Sequence, residues 1–175
     1  MAKYKRFLFG SKEKFAIAGK QWLDENQTEY IFGQFYFICD RNLIGYMETV
    51  VLTTPSSSLE SFMNRYDCKI AKDLCTQPTE KIATQLYSIY RENYDNPAYE
   101  EQTLKYEKLF LTMAICESLD GTYVFLISGE NKDILTYYDQ KRKRVSHMIL
   151  PYGNVFSVFR EYIAFIDELE QQRPS

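Results

Sequence analysis

The chain has 175 residues, a formal net charge of −3, a single histidine and 16% aromatic residues, with fifteen tyrosines among them. That length suits one domain with a real buried core, and 45% hydrophobic with 26% charged residues is the balance of an ordinary globular fold. The charge argues against a general nucleic-acid binder, whose affinity comes from cationic contacts to phosphate, and one histidine cannot complete the usual zinc sets.

Residues 4–9 and Lys14–Ala18 read as short strands punctuated by Gly10 and Gly19. Asp24–Thr28 is a polar turn. Tyr30–Cys39 is aromatic and β-prone, interrupted by Gly33. Asp40-Arg-Asn42 reads as a hairpin turn and Leu43–Thr53 as the returning strand, with Gly45 marking a bulge or a close backbone approach. Pro55 ends that strand. Ser57 and Glu60 have the spacing of a capping box, which predicts a helix from Ser58 to about Tyr66. A second helix is predicted from Thr79 to about Asn93, with Ile82, Leu86, Ile89 and Tyr90 as its apolar stripe. Glu92–Gln102 is acidic, holds no lysine or arginine and is broken by Pro97, so it reads as an exposed loop or helix edge.

A meander of strands follows: Leu109–Glu117, Thr122–Ser128, Asp133–Asp139 and Arg144–Leu150. Asp120-Gly121, Gly129–Lys132 and Gln140–Lys143 serve as its turns. The chain closes with an amphipathic helix over Asn154–Gln171, with Asn154 as N-cap and Val155, Val158, Phe159, Tyr162, Ile163, Ile166 and Leu169 as the buried stripe. The tail from about residue 171 is expected to fray. The layout implies one α+β domain over 1–175, a mainly antiparallel sheet with packed helices that include the C-terminal one. Phe7–Phe9 is the whole apolar run of the basic N-terminus, too short for a signal-peptide core. No window reaches the length of a membrane span, so the expected location is the cytoplasm, with no membrane partner.

The chemistry-bearing residues are sparse. His147 as a general base would need a carboxylate or nucleophile nearby, and a small hydrolase built on it is one reading. Lys141-Arg-Lys-Arg144 is the only dense basic run; it suits either a phosphate-binding hairpin or a solvated tip that keeps sheet edges apart. Ser56, Ser57 and Ser58 lack a nucleophile elbow, and the glycines form no phosphate loop, so no cofactor is implied. Cys39, Cys68, Cys75 and Cys116 show no Cys-x-x-Cys spacing and read as packing cysteines, although a Cys68–Cys75 bridge is conceivable. The acidic stretch is more suggestive. It suits either a solvated linker or a binding edge in which Glu92, Asp95, Glu100 and Glu101 select a basic surface and the interleaved Tyr94 and Tyr99 act as anchors.

Phe9-Gly10 followed by Phe15-Ala16-Ile17, then an aromatic strand and Leu43-Ile44-Gly45, resembles the immunity protein 42 family of bacterial polymorphic toxin systems. The segment Ile149-Leu150-Pro151-Tyr152-Gly153-Asn154-Val155-Phe156 before a final helix is similar to the family's ending. The resemblance implies a non-enzymatic inhibitor of the contact-dependent growth inhibition type. Its partner would be the cognate C-terminal toxin domain of a large secreted effector, with no direct contact to nucleic acid. Many such toxins are nucleases with basic grooves, which an acidic inhibitor can cover.

Overall fold

The structure is a computed structural model and describes residues 3–23, 30–139 and 142–172. The chain divides into two compact units. The first comprises Met1–Met63, Ala114–Asp120 and Phe156–Ser175, and the second Asn64–Met113 and Gly121–Val155. The expected polar turn at Asp24–Thr28 lies outside the described residues, as do Gln140 and Lys141 of the charged turn and residues 173–175 of the tail.

The first unit is built on strands β1 (Tyr4–Gly10), β2 (Phe15–Trp22), β3 (Phe32–Cys39), β4 (Asn42–Ile44) and β5 (Thr49–Val51). They form one antiparallel sheet in the order β1-β2-β3-β4, with β5 also paired to β3. Alternation along the strands puts Phe7, Phe9, Phe15, Phe35 and Phe37 on one face. Helix α5 (Asn154–Gln171) covers that face: Phe35 lies 5.1 Å from Tyr162, Phe7 5.4 Å from Phe165 and Phe15 6.0 Å from Phe159, measured between ring centroids. Each fully buried phenylalanine contributes about 3 kcal/mol. The Tyr162 hydroxyl donates to the Leu52 carbonyl at 2.8 Å, so this large buried ring leaves no unmet polar group.

The turn at Asp40-Arg41 forms as expected. Both residues have positive φ, 47° and 62°, the pairing that matches the twist of a two-residue hairpin. The returning strand does not run to Thr53. It breaks after Ile44, where Gly45 has φ 111° and Tyr46 N–H donates to the Ser118 carbonyl at 2.7 Å. A Cβ on Gly45 would sit 2.7 Å from that carbonyl oxygen, which is the close approach its glycine signalled. Gly19 and Gly33, by contrast, punctuate nothing; they lie inside β2 and β3.

Helix α1 (Thr53–Arg65) starts five residues before the expected point. Ser57 Oγ donates to the Thr53 carbonyl at 3.1 Å, so Ser57 lies inside the helix and caps nothing. Pro55 sits in the first turn, where a missing N–H costs no helical bond.

In the second unit, helix α2 (Cys68–Leu74) had no reading in the sequence because seven residues carry too little periodicity. Asp67 makes it: its carboxylate accepts from Lys69 N–H at 3.0 Å and Ile70 N–H at 3.1 Å. All four cysteines are free. Cys68 and Cys75 lie seven residues apart along a helix, about 10 Å of rise, which is beyond disulfide reach. Helix α3 (Thr79–Tyr87) and the helical turn Ser88–Glu92 that continues it carry the predicted stripe, and Ile82, Leu86, Ile89 and Tyr90 are all buried.

The sheet of this unit is β6 (Val124–Ser128), β7 (Lys132–Asp139) and β8 (Arg144–Pro151), antiparallel in that order. The expected strand over Leu109–Glu117 is absent. Its apolar run is buried almost continuously but bends, and only a single bridge, Phe110 to Phe125, joins it to β6. Ala114 takes φ 57°, and residues 114–120 belong to the other unit, where Ser118 Oγ donates to the Phe35 carbonyl at 2.7 Å. Asp120-Gly121 therefore joins no hairpin. The N-cap role expected of Asn154 falls instead to Asp133, whose carboxylate accepts from Val155 N–H at 3.3 Å. The chain is thus α+β, with two antiparallel sheets rather than one.

Tyr66 tests how strongly the second unit depends on its polar contacts. Its hydroxyl accepts from Ser128 N–H at 2.7 Å and donates to the Leu126 carbonyl at 3.2 Å, tying the main chain of β6. Tyr66→Phe removes the acceptor of that N–H and is expected to cost about 2 kcal/mol in urea unfolding. A loss indistinguishable from zero would show that the bonds are replaceable by water.

Candidate functional site

The acidic stretch grows out of α3. At Ser88–Glu92 the helix widens into a single π-type turn, which keeps the successive residues Ile89 and Tyr90 both buried. Asn93 Nδ2 donates to the Ser88 carbonyl at 3.1 Å, and Ser88 Oγ donates to the Glu92 carboxylate at 3.0 Å, closing this turn. Asn96 Oδ1 then accepts from Ala98 N–H at 3.1 Å, starting a short 3-10 turn at Pro97–Tyr99. Helix α4 (Glu100–Tyr106) follows, with Glu100 and Glu101 in its first turn, a placement the helix dipole favours.

Glu92, Asp95, Glu100 and Glu101 are all exposed, and among the described residues none of them forms an ion pair. Tyr94 is 51% exposed, with its ring 6.2 Å from that of the buried Tyr90. Tyr99 differs from the expected anchor: it is half-buried and packs against the core of this unit. The Tyr90 hydroxyl donates to the Thr103 carbonyl, linking the π turn to α4 from beneath.

Three further tyrosines adjoin the stretch. Tyr87 stacks on Tyr138 at 5.1 Å with 13° between planes, and Tyr123 meets Tyr87 edge-on at 5.8 Å. Burial raises the hydroxyl pKa of Tyr87, and the Arg91 charge partly offsets it. The three residues come from α3, from the segment before β6 and from β7; no sequence spacing joins them.

The other chemistry weighed in the sequence finds less support. His147 Nε2 lies 3.8 Å from the exposed carboxylate of Glu80, but among the described residues no hydrogen bond joins the imidazole to a hydroxyl or thiol. Burial pushes the Cys116 thiol up to about 11 and the Cys39 thiol higher, so neither is a thiolate nucleophile. In the basic run, Arg142 is turned onto Asp139, its guanidinium 3.5 Å from the carboxylate. The described residues contain no cluster of three or more histidine, cysteine or carboxylate groups suited to a metal, and no described helix is long and apolar enough to cross a membrane.

The family model described as immunity protein 42 matches residues 7–165, nearly the whole chain. The chain belongs to the immunity protein 42 family. No curated protein and no solved structure matches it. As a member of that family it has an immunity, or antitoxin, role, which implies binding a cognate toxin. The matched span includes the acidic turn, α4 and the tyrosines around them.

Proposed function

We propose that this immunity protein neutralises the C-terminal toxin domain of a contact-dependent growth inhibition effector by stoichiometric binding in the cytoplasm of the producing cell. It does so as an inhibitor without catalysis of its own. The toxin is a nuclease, acting on RNA, tRNA or DNA, and its basic groove meets Glu92, Asp95, Glu100 and Glu101. Tyr94 is the exposed anchor, and the half-buried Tyr99 adds its remaining exposed edge. The supporting observation is the set of exposed carboxylates without ion-pair partners beside an exposed tyrosine. Unpaired carboxylates speed encounter with a cationic surface, and a desolvated tyrosine slows escape.

Co-expression with the toxin domain encoded beside the chain tests the function. The expected result is restored growth and a stable 1:1 complex. Reversing all four carboxylates to lysine is expected to slow association by about 10- to 100-fold at low salt, with the difference shrinking as salt rises. Growth rescue by the wild type together with an unchanged association rate in the variant would leave the immunity role standing and place the interface elsewhere.

A further inference from the structure

The face of the five-stranded sheet opposite α5 is concave, with a volume of about 650 Å³. Its shape follows from the register. On β2 the floor residue is the small Ala18, flanked across the ladder by Leu8 on one side and Tyr36 on the other. Ile38 and Leu43, paired across β3 and β4, extend this apolar floor. Leu8 is 44% exposed.

The floor is bounded by cations at both ends. At one end Arg6 and Lys20 are direct cross-strand partners. At the other end, Lys12 and Arg41 come from two different turns, brought together because Arg41 N–H donates to the Lys12 carbonyl at 2.8 Å. Glu13 is the sole carboxylate in the lining, against four cations, in a chain whose net charge is −3. Among the described residues none of the four cations forms an ion pair. Like charges directly opposite on a sheet are destabilising. Lys20 and Arg6 both lie over the Tyr4 ring, 4.9 Å and 5.8 Å from its centroid, which holds the two cations together at that end with their charge still unpaired by a carboxylate.

We infer that this trough is a second docking surface, taking an acidic segment of the toxin partner in which an apolar side chain sits between two carboxylates. Four residues of strand separate the Arg6–Lys20 pair from the turn end, so the carboxylates would be roughly 13 Å apart. The inference rests on the immunity reading and adds a contact of opposite charge to the acidic edge. A phosphodiester chain fits less well, because it satisfies the cations but has nothing apolar to bury on the floor.

The test is calorimetric binding of the adjacent-frame toxin domain to the full chain at low and high salt. Lys20→Gln/Arg41→Gln is expected to weaken binding about tenfold, Lys20→Glu/Arg41→Glu about a hundredfold, and Leu8→Ser about tenfold. All three positions are at the surface, and circular dichroism confirms folding; if the glutamate pair fails to fold, the glutamine pair and Leu8→Ser decide. A wild-type chain that does not bind active toxin overturns both the immunity reading and the trough. Toxin binding that is unchanged in the folded variants overturns the trough alone. A single-stranded RNA oligonucleotide that binds the wild type as tightly as the toxin does, and is lost in the same variants, overturns it in favour of a polyanion site.

Discussion

Gly19→Ala is expected to destabilise the protein by about 4 kcal/mol, at the severe end for a single methyl group. An added Cβ would lie 1.8 Å from the Gln34 carbonyl oxygen of the neighbouring strand and 2.6 Å from a ring carbon of Phe7. Neither can yield. Gln34 is held in the β2–β3 ladder, and Phe7 is packed against Phe165 and Tyr162. Gly19 itself is pinned between Phe7 on β1 and Phe35 on β3. The comparison variant is Gly121→Ala, where nothing lies within 4 Å and only the positive φ of 70° resists a side chain. That strain alone costs about 1–2 kcal/mol. Urea unfolding of the two variants separates the effects, and equal losses would refute the close approach at Gly19.

Phe125→Ala is expected to cost about 3–5 kcal/mol, the range for deleting a fully buried aromatic ring. Phe125 is 1% exposed, stacked on Phe110 at 4.6 Å and tilted against Tyr90 at 5.0 Å. Its loss also reaches the acidic turn. Tyr90 is the ring beneath Tyr94 and the donor to the Thr103 carbonyl, so a cavity beside it loosens residues 93–106. Faster amide exchange is expected over those residues, together with weaker toxin binding. Phe125→Leu, which keeps most of the volume, is expected to cost about 1 kcal/mol and to restore both. Toxin binding that survives Phe125→Ala intact would show that the turn holds its shape without this support.

Most of the regular elements were legible in the sequence. Helix α5 runs over the predicted residues, and six of the seven residues in its stripe are buried, with Leu169 half-buried. The Asp40-Arg41 turn and the strands β6, β7 and β8 were also readable, because turn residues that act between near neighbours bound short apolar, β-prone runs. The acidic stretch was visible as composition, and its exposure follows from the cost of burying unpaired carboxylates.

Two elements differ from the local pattern for different reasons. Leu109–Glu117 has the apolar content of a strand, yet Ala114 takes a positive φ within it and the next residue, Ser118, bonds the distant Phe35 carbonyl. The serines after Pro55 look like a helix start, yet α1 begins earlier and Ser57 bonds backward to Thr53. In the first case a contact made elsewhere in the chain overrode the local preference; in the second the helix simply nucleated a turn earlier, with Pro55 accommodated in its first turn. The tyrosine cluster of Tyr87, Tyr123 and Tyr138 and the cation-bounded trough were unreadable because they join residues distant in the chain.

By itself the sequence determined the α+β class, the final helix, the acidic edge and, through its resemblance, the family, since these depend on local periodicity, charge and motif. Only the tertiary structure decided that there are two sheets, that Tyr99 turns inward, and that Arg6, Lys12, Lys20 and Arg41 border one apolar floor. Those features depend on strand register and on bonds between distant residues, which no local pattern encodes.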